Sequence, residues 1–174
     1  MLKFKDYEYK RPDMGKVKED FSTLIKEFRN ADSFSEQDVI MKKINGLRIE
    51  VESMMELVGI RNTINTTDEF YEKEKLFMDE NSPVYEGIIS DYYEALVNSR
   101  FREKLEEKWG KQLFTMAEMQ LKTFKPEIIE DLQEENKLVT EYDKLKASAK
   151  IMFDGKERNL AQLTPFIESK DRVM

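Results

Sequence analysis

DYYEALVNSRFREKLEEKWGKQLFTMAEMQLKTF, residues 91–124, carries the single tryptophan of the 174-residue chain and its densest run of regularly spaced apolar side chains. Tyr93, Val97, Phe101, Leu105, Trp109, Leu113, Ala117 and Leu121 recur at every fourth position, the spacing of a helix. A step of four is longer than the 3.6-residue turn, so the stripe drifts round the cylinder and cannot hold one face of a straight helix. The helix must bend or break. Asn98 and Ser99 can both cap a new helix beginning at Arg100 or Phe101, and Gly110, directly after Trp109, is a second weak point. The stretch predicts one helix ending near Asn98 and a long one over residues 101–124, with Trp109 set against neighbours from several directions.

Upstream of this stretch the pattern is also helical. Residues 1–11 mix Phe4, Tyr7 and Tyr9 with lysines, which suits a short extended arm on the surface. Pro12 suits the first turn of a helix, and Met14, Val17, Phe21, Leu24, Ile25 and Phe28 continue it to about Ala31 with one buried face. Ser35, with Asp38 three residues on, predicts the cap of a second helix running from Glu36 to about Asn65. Gly46 and Gly59 interrupt that helix, each at a cost of up to about 1 kcal/mol unless a bend or close approach compensates. Thr66, Thr67 and Asp68 form a polar break. A third helix follows, a short loop is expected at residues 79–82, and Ser82 with Pro83 reads as the start of a further helix.

Downstream, Lys125 and Pro126 end one helix and residues 127–149 make another. A hydrophobic run at 151–153, the turn pair Asp154 and Gly155, and a second short run predict a β-hairpin near residues 151–160. Residues 161–168 look helical but interrupted by Pro165. Ser169, Lys170, Asp171 and Arg172 look like the cap and first turn of a helix whose body is missing. The fold expected is mainly α, a multi-helix array of long antiparallel helices with one small β-hairpin. Its parts are a helical body at 1–149, a hairpin and short helix at 150–168, and the start of a truncated helix at 169–174, with no internal domain boundary.

Composition narrows the chemistry. The net charge is −7 with 37% charged residues of both signs interspersed, which describes solvated helix faces better than a nucleic-acid surface. No apolar run is long enough to span a bilayer and the N-terminus lacks the hydrophobic segment of a secretory signal, so no nucleic acid and no membrane are expected as partners and the chain reads as cytoplasmic. It contains neither cysteine nor histidine. Disulfides, the usual zinc ligand sets, histidine-carboxylate di-iron sites and Ser-His or Cys-His pairs cannot be assembled from this chain alone.

The one polar constellation of interest is Arg61, Asn62, Asn65, Thr66, Asp68 and Tyr71, where two long helices meet. Arg61 can hold a peptide backbone or a carboxylate, since guanidinium forks suit planar oxygen pairs. The alternative, which the pattern favours, is that these groups cap helix ends and satisfy one another across a buried corner. The acidic runs Glu69, Glu72, Glu74 and Glu130, Asp131, Glu134, Glu135 lack calcium-loop spacing and read as solvated faces. Tyr92, Tyr93, Tyr142, Met54, Met55, Met116 and Met119 read as core rather than a ligand wall.

Three blocks carry a family resemblance: IRNTINTTDEFYEKE (60–74), ENSPVYEGIISDYYEALVNSRFREKLEEKWGKQLF (80–114) and IMFDGKERNLAQLTPFIESKDR (151–172). They resemble the N-terminal part of the oligoendopeptidase F family, within the thimet-oligopeptidase-like zinc metallopeptidases. The resemblance implies a largely helical cytoplasmic enzyme closed around a channel for short peptides. It further implies zinc held by an HExxH helix and a downstream glutamate, placed beyond the end of this chain. No HExxH occurs here, so no catalytic and no metal residue carries over and no cofactor is expected in this chain. What carries over is a role as one wall of the substrate channel, with the catalytic remainder of the enzyme as partner and no catalysis by the chain alone. A stand-alone helical interaction module remains the alternative, and a carboxylate metal binder a third reading.

Overall fold

The computed structural model describes residues 3–169. Seven α-helices and one two-stranded sheet occur among the described residues, and the fold is mainly α, as the spacing of apolar residues predicts. Contacts divide the chain into two compact units with the boundary between Gln133 and Glu134.

In the first unit, α1 (Met14–Asn30) starts after Asp13, whose side chain accepts the Lys16 N–H at 3.0 Å. Pro12 therefore lies before the cap and not inside the first turn. Phe21, Ile25 and Phe28 form its buried face. The second helix, α2 (Phe34–Ile64), is capped by Ser33 and not by Ser35: Ser33 Oγ accepts the Glu36 N–H at 3.2 Å while Glu36 reaches back to the Asp32 N–H at 2.8 Å. Its 31 residues span about 46 Å. Gly46 and Gly59 sit inside it, and among the described residues nothing from outside their own turn of helix comes within 4 Å of where a β-carbon would stand, so no close approach there offsets their cost.

Helix α3 (Glu69–Val97) runs unbroken through Pro83, where a loop and a new helix start were expected. A proline inside a helix removes one N–H and crowds the carbonyls of the preceding turn. Here the Gln133 side-chain amide donates to the Glu80 carbonyl at 2.6 Å, and Pro83 itself is fully buried. The helix buries residues on both sides of the proline, Met78 and Asp79 before it and Tyr85, Ile88 and Ile89 after it.

The break after α3 comes where the four-residue step demands it. Asn98 is the C-cap, and Ser99 Oγ accepts the Phe101 N–H at 3.0 Å. Ser99 Oγ also donates to Gln37 Oε1 at 2.6 Å, and Gln37 Nε2 donates to the Phe28 carbonyl at 2.9 Å. Gln37 is buried, so one amide ties α1, α2 and the break together. The long helix expected over 101–124 is two: α4 (Arg102–Trp109) and α5 (Lys111–Thr123), parted at Gly110. Gly110 has φ +89°, a conformation glycine adopts without steric cost.

Helix α3 packs against α1, α2 and α5. The core includes Phe21 and Phe28 of α1, Met41 and Ile44 of α2, Tyr92 and Leu96 of α3, Leu105 of α4 and Phe114 and Ala117 of α5. Phe21 meets Tyr85 and Phe28 meets Tyr92 edge to face, with centroids 5.9 and 6.3 Å apart. Trp109 is only partly buried against this cluster. A 3-10 turn at Pro126–Ile128 leads into α6 (Ile129–Ala147).

In the second unit, β1 (Ile151–Phe153) and β2 (Lys156–Arg158) pair antiparallel with Ile151 opposite Arg158 and Phe153 opposite Lys156. Asp154 and Gly155 both have positive φ, 52° and 70°, the type I′ turn that matches strand twist. Helix α7 (Leu160–Ile167) continues through Pro165 and carries an unforeseen capping box: Asn159 Oδ1 accepts the Gln162 N–H at 2.9 Å, and Gln162 Oε1 accepts the Asn159 N–H at 3.0 Å. Phe166 lies 5.0 Å from Phe153 and 4.5 Å beneath the Arg158 guanidinium.

Several residues expected in the core are outside it. Tyr92 and Tyr93 are buried, but Tyr142, Met116 and Met119 are exposed, as are Leu138 and Leu145 of α6. The truncated helix start expected at 169–174 lies, beyond Ser169, outside the described residues.

Candidate functional site

The corner between α2 and α3 brings the predicted polar residues together in sequence order, and most of them are occupied by local structure. Asn65 is the C-cap of α2; its Oδ1 accepts from the Thr67 N–H at 3.2 Å and from the Thr67 hydroxyl at 2.8 Å. Asp68 is the N-cap of α3, its Oδ1 accepting the Phe70 and Tyr71 N–H groups at 3.0 and 3.1 Å. These four bonds satisfy backbone and hydroxyl groups at two helix ends. Arg61, in the last turn of α2, donates through Nη1 to the Tyr71 hydroxyl and through Nη2 to the Tyr7 carbonyl. Its guanidinium also lies 5.4 Å from the Tyr71 ring and 5.9 Å from the Phe4 ring. Asn62 is buried, and among the described residues its Nδ2 has no hydrogen-bond partner.

The residues that complete the corner escaped the sequence reading. Glu74, one turn into α3 from Tyr71, is buried, although its run of acidic neighbours reads as a solvated face. It accepts Arg11 Nε at 2.8 Å on Oε2, Arg11 Nη2 at 2.5 Å on Oε1, and the Tyr9 hydroxyl at 2.5 Å on Oε2. The paired Arg11 bonds, and then that of Tyr9, hold the Glu74 carboxyl below the usual carboxylate range against the opposing effect of burial. Burial and the neighbouring carboxylate push the Tyr9 phenol well above its ordinary value. Arg11 stacks 4.5 Å from the Phe77 ring, and the Lys10 N–H meets Met54 Sδ at 3.3 Å. A signal was present: Glu74 stands three or four positions from Phe70, Tyr71, Phe77 and Met78, on the apolar face of its own helix.

A second buried carboxylate, Asp38 in the first turns of α2, accepts Lys42 Nζ and Lys108 Nζ at 2.8 Å each and Trp109 Nε1 at 3.0 Å. The hydrogen bonds from Lys108 and Lys42 lower its carboxyl to about 2. With donors from Lys42 of α2 and from Lys108 and Trp109 of α4, this carboxylate ties α4 to α2.

Glu130, Asp131, Glu134 and Glu135 are all exposed. Among the described residues no group of three acidic, cysteine or histidine side chains could hold a metal ion. With neither histidine nor cysteine in the chain, the donor set fits no zinc site. A cleft of about 490 Å³ between α1 and α3, lined by Lys18, Ser22, Ile25, Arg29, Ile88 and Asp91 among others, includes none of the corner residues. Among the described residues no helix is long and apolar enough to cross a membrane.

The profile of the Peptidase M3 N-terminal domain family matches residues 4–124. No curated protein matches the chain significantly. Among solved structures, PZ peptidase A with an inhibitor is 53% identical over 98% of this chain and superposes with a TM-score of 0.92. A chain assigned as an oligoendopeptidase F is 55% identical over 99%, with a TM-score of 0.92. Another so assigned, from Bacillus anthracis strain Ames, is 48% identical over 99%, with a TM-score of 0.93. The present chain spans 30%, 30% and 32% of the lengths of these three.

Proposed function

The chain belongs to the Peptidase M3 N-terminal domain family, and from that premise we propose that it is the N-terminal helical region of a cytoplasmic oligoendopeptidase, forming one wall of the channel that admits short peptides. On this reading 1–149 is the helical body, 150–168 the hairpin and short helix, and the chain is inactive by itself. Zinc and the groups that activate water belong to a catalytic remainder, which is also the chain's principal partner. The observation that carries the proposal is the pairing of a family match over residues 4–124 with a likeness to three peptidase structures of which this chain spans only 30–32%.

The corner residues Arg61, Asn62, Asn65, Asp68 and Tyr71 then take a structural role, closing the α2–α3 turn and fixing the wall's edge. The caps made by Asn65 and Asp68 support this, as does the use of both Arg61 terminal nitrogens on Tyr71 and Tyr7. The purified chain, incubated with a mixture of short peptides and zinc, should release no fragments detectable by mass spectrometry. Zinc-dependent cleavage that copurifies with the chain through successive columns would overturn the proposal.

A stand-alone interaction module is favoured by one observation. Residues 14–117 already bury a closed aromatic and aliphatic core, with Phe21, Phe28 and Leu96 at 0% exposure. That reading predicts a monodisperse chain that melts sharply and binds no hydrophobic dye, whereas a detached wall should bind dye or self-associate through faces its partner would cover.

A further inference from the structure

Residues 3–13 contribute no side chain to the core cluster, whose packed members begin at Met14, yet the segment is held at three separate points. The Tyr7 carbonyl takes Arg61, the Lys10 N–H meets Met54 Sδ, and the side chains of Tyr9 and Arg11 converge on Glu74. Tyr7 has extended backbone angles, φ −73° and ψ 126°. Tyr9 and Arg11, two positions apart, reach the same carboxylate, as alternate residues of an extended chain can. Tyr9 also packs edge to face on Phe70 and Tyr71, with centroids 6.0 and 6.3 Å away. The receptor side is provided entirely by α2 and α3, more than 40 residues away in sequence.

This division into ligand and receptor has a chemical pattern. A buried carboxylate receives a tyrosine hydroxyl and, in paired fashion, a guanidinium; an arginine receives a backbone carbonyl; and aromatic edges flank the tyrosine. Every element would be offered equally by a segment on another chain. We infer that the α2–α3 corner is a binding site for an extended peptide carrying tyrosine and arginine two residues apart, which the chain's own residues 7–11 fill as a displaceable strap. In cis the strap benefits from a high effective concentration, so a peptide in trans competes only when the resident anchor is weakened or the peptide is in large excess.

The test uses the full chain and a fluorescein-labelled synthetic peptide of residues 3–12. A chain with Tyr9→Ala and Arg11→Ala has lost the bonds to Glu74 on the strap side but keeps the receptor. It should bind the peptide at least about tenfold more tightly than the unaltered chain does. Adding Glu74→Gln to that variant, or replacing the peptide's arginine with alanine, should reverse the gain. Because the chain has no cysteine, Lys5→Cys accepts a single dye on an otherwise unaltered protein. Excess unlabelled peptide should then lower the anisotropy of that dye, while a scrambled peptide should not. This second measurement decides the matter if the double variant fails to fold. No binding by a folded double variant, equal binding by both chains, or an anisotropy unmoved by excess peptide would overturn the inference. None of these readouts involves hydrolysis, so the outcome is separate from that of the peptidase proposal.

Discussion

Replacing Asp38 with asparagine keeps the shape of the side chain and removes its charge, leaving an amide against donors from Lys42, Lys108 and Trp109. The folded protein holds this carboxyl at about 2 against an ordinary 3.8. That difference of nearly two units, at about 1.4 kcal/mol each, is worth roughly 2.5 kcal/mol. The lysine side chains are 58% and 45% exposed, so solvent screening reduces the expected loss to about 2 kcal/mol. The folded-state value is depressed, so the stabilisation is complete above the unfolded value near 3.8 and disappears as pH falls from there to about 2. Urea unfolding of the two proteins at pH 7 should therefore differ by about 2 kcal/mol, or about 4–8 °C in Tm, and converge near pH 2. An equal gap at both pH values, or no gap at pH 7, would refute the reasoning, since the first denies that charge matters and the second that the contacts do.

Gly46→Ala and Gly59→Ala should each raise stability by about 0.5–1 kcal/mol in the same assay, because both positions are helical and open to a methyl group; a loss at either would mean that the helix bends there in solution. Gly110→Ala should cost about 1–3 kcal/mol from backbone strain alone, since its φ is +89° and no neighbour stands in the way. A neutral result would show that the α4–α5 joint adopts another conformation. Leu96→Ala, at a fully buried position in the core, should cost about 2–5 kcal/mol, and a cost under about 1 kcal/mol would place Leu96 outside the packed core.

The parts legible in the sequence were those decided by neighbours along the chain. Asp154 and Gly155 announce a tight turn, Phe21, Ile25 and Phe28 announce one face of a helix, and the drift of the four-residue stripe announces the break at Asn98. The misread parts depend on contacts distant in sequence. Pro83 reads as a helix start because nothing nearby reveals that residues on both sides of it, and Pro83 itself, will be buried in one helix. Glu74 reads as solvated because Arg11, its partner, lies 63 positions away. Ser35 and Ser33 are both competent caps, and with Ser33 in that place its Oγ takes the Glu36 N–H while the Glu36 carboxylate takes the Asp32 N–H. At the α2–α3 corner the caps made by Asn65 and Asp68 are local and legible, while residues 7–11 read as a surface arm because Arg61 and Glu74, which hold them, lie far away in sequence.

The central claim is that this chain works as one part of a larger peptidase, and the most direct measurement is the mass of the native gene product, blotted from its host with an antibody raised to this chain. The three solved relatives are about three times longer. The account predicts a band near 70 kDa, taking 20.7 kDa as about 30% of the whole. A single band at 20.7 kDa would contradict it and leave a helical protein that the cell makes alone.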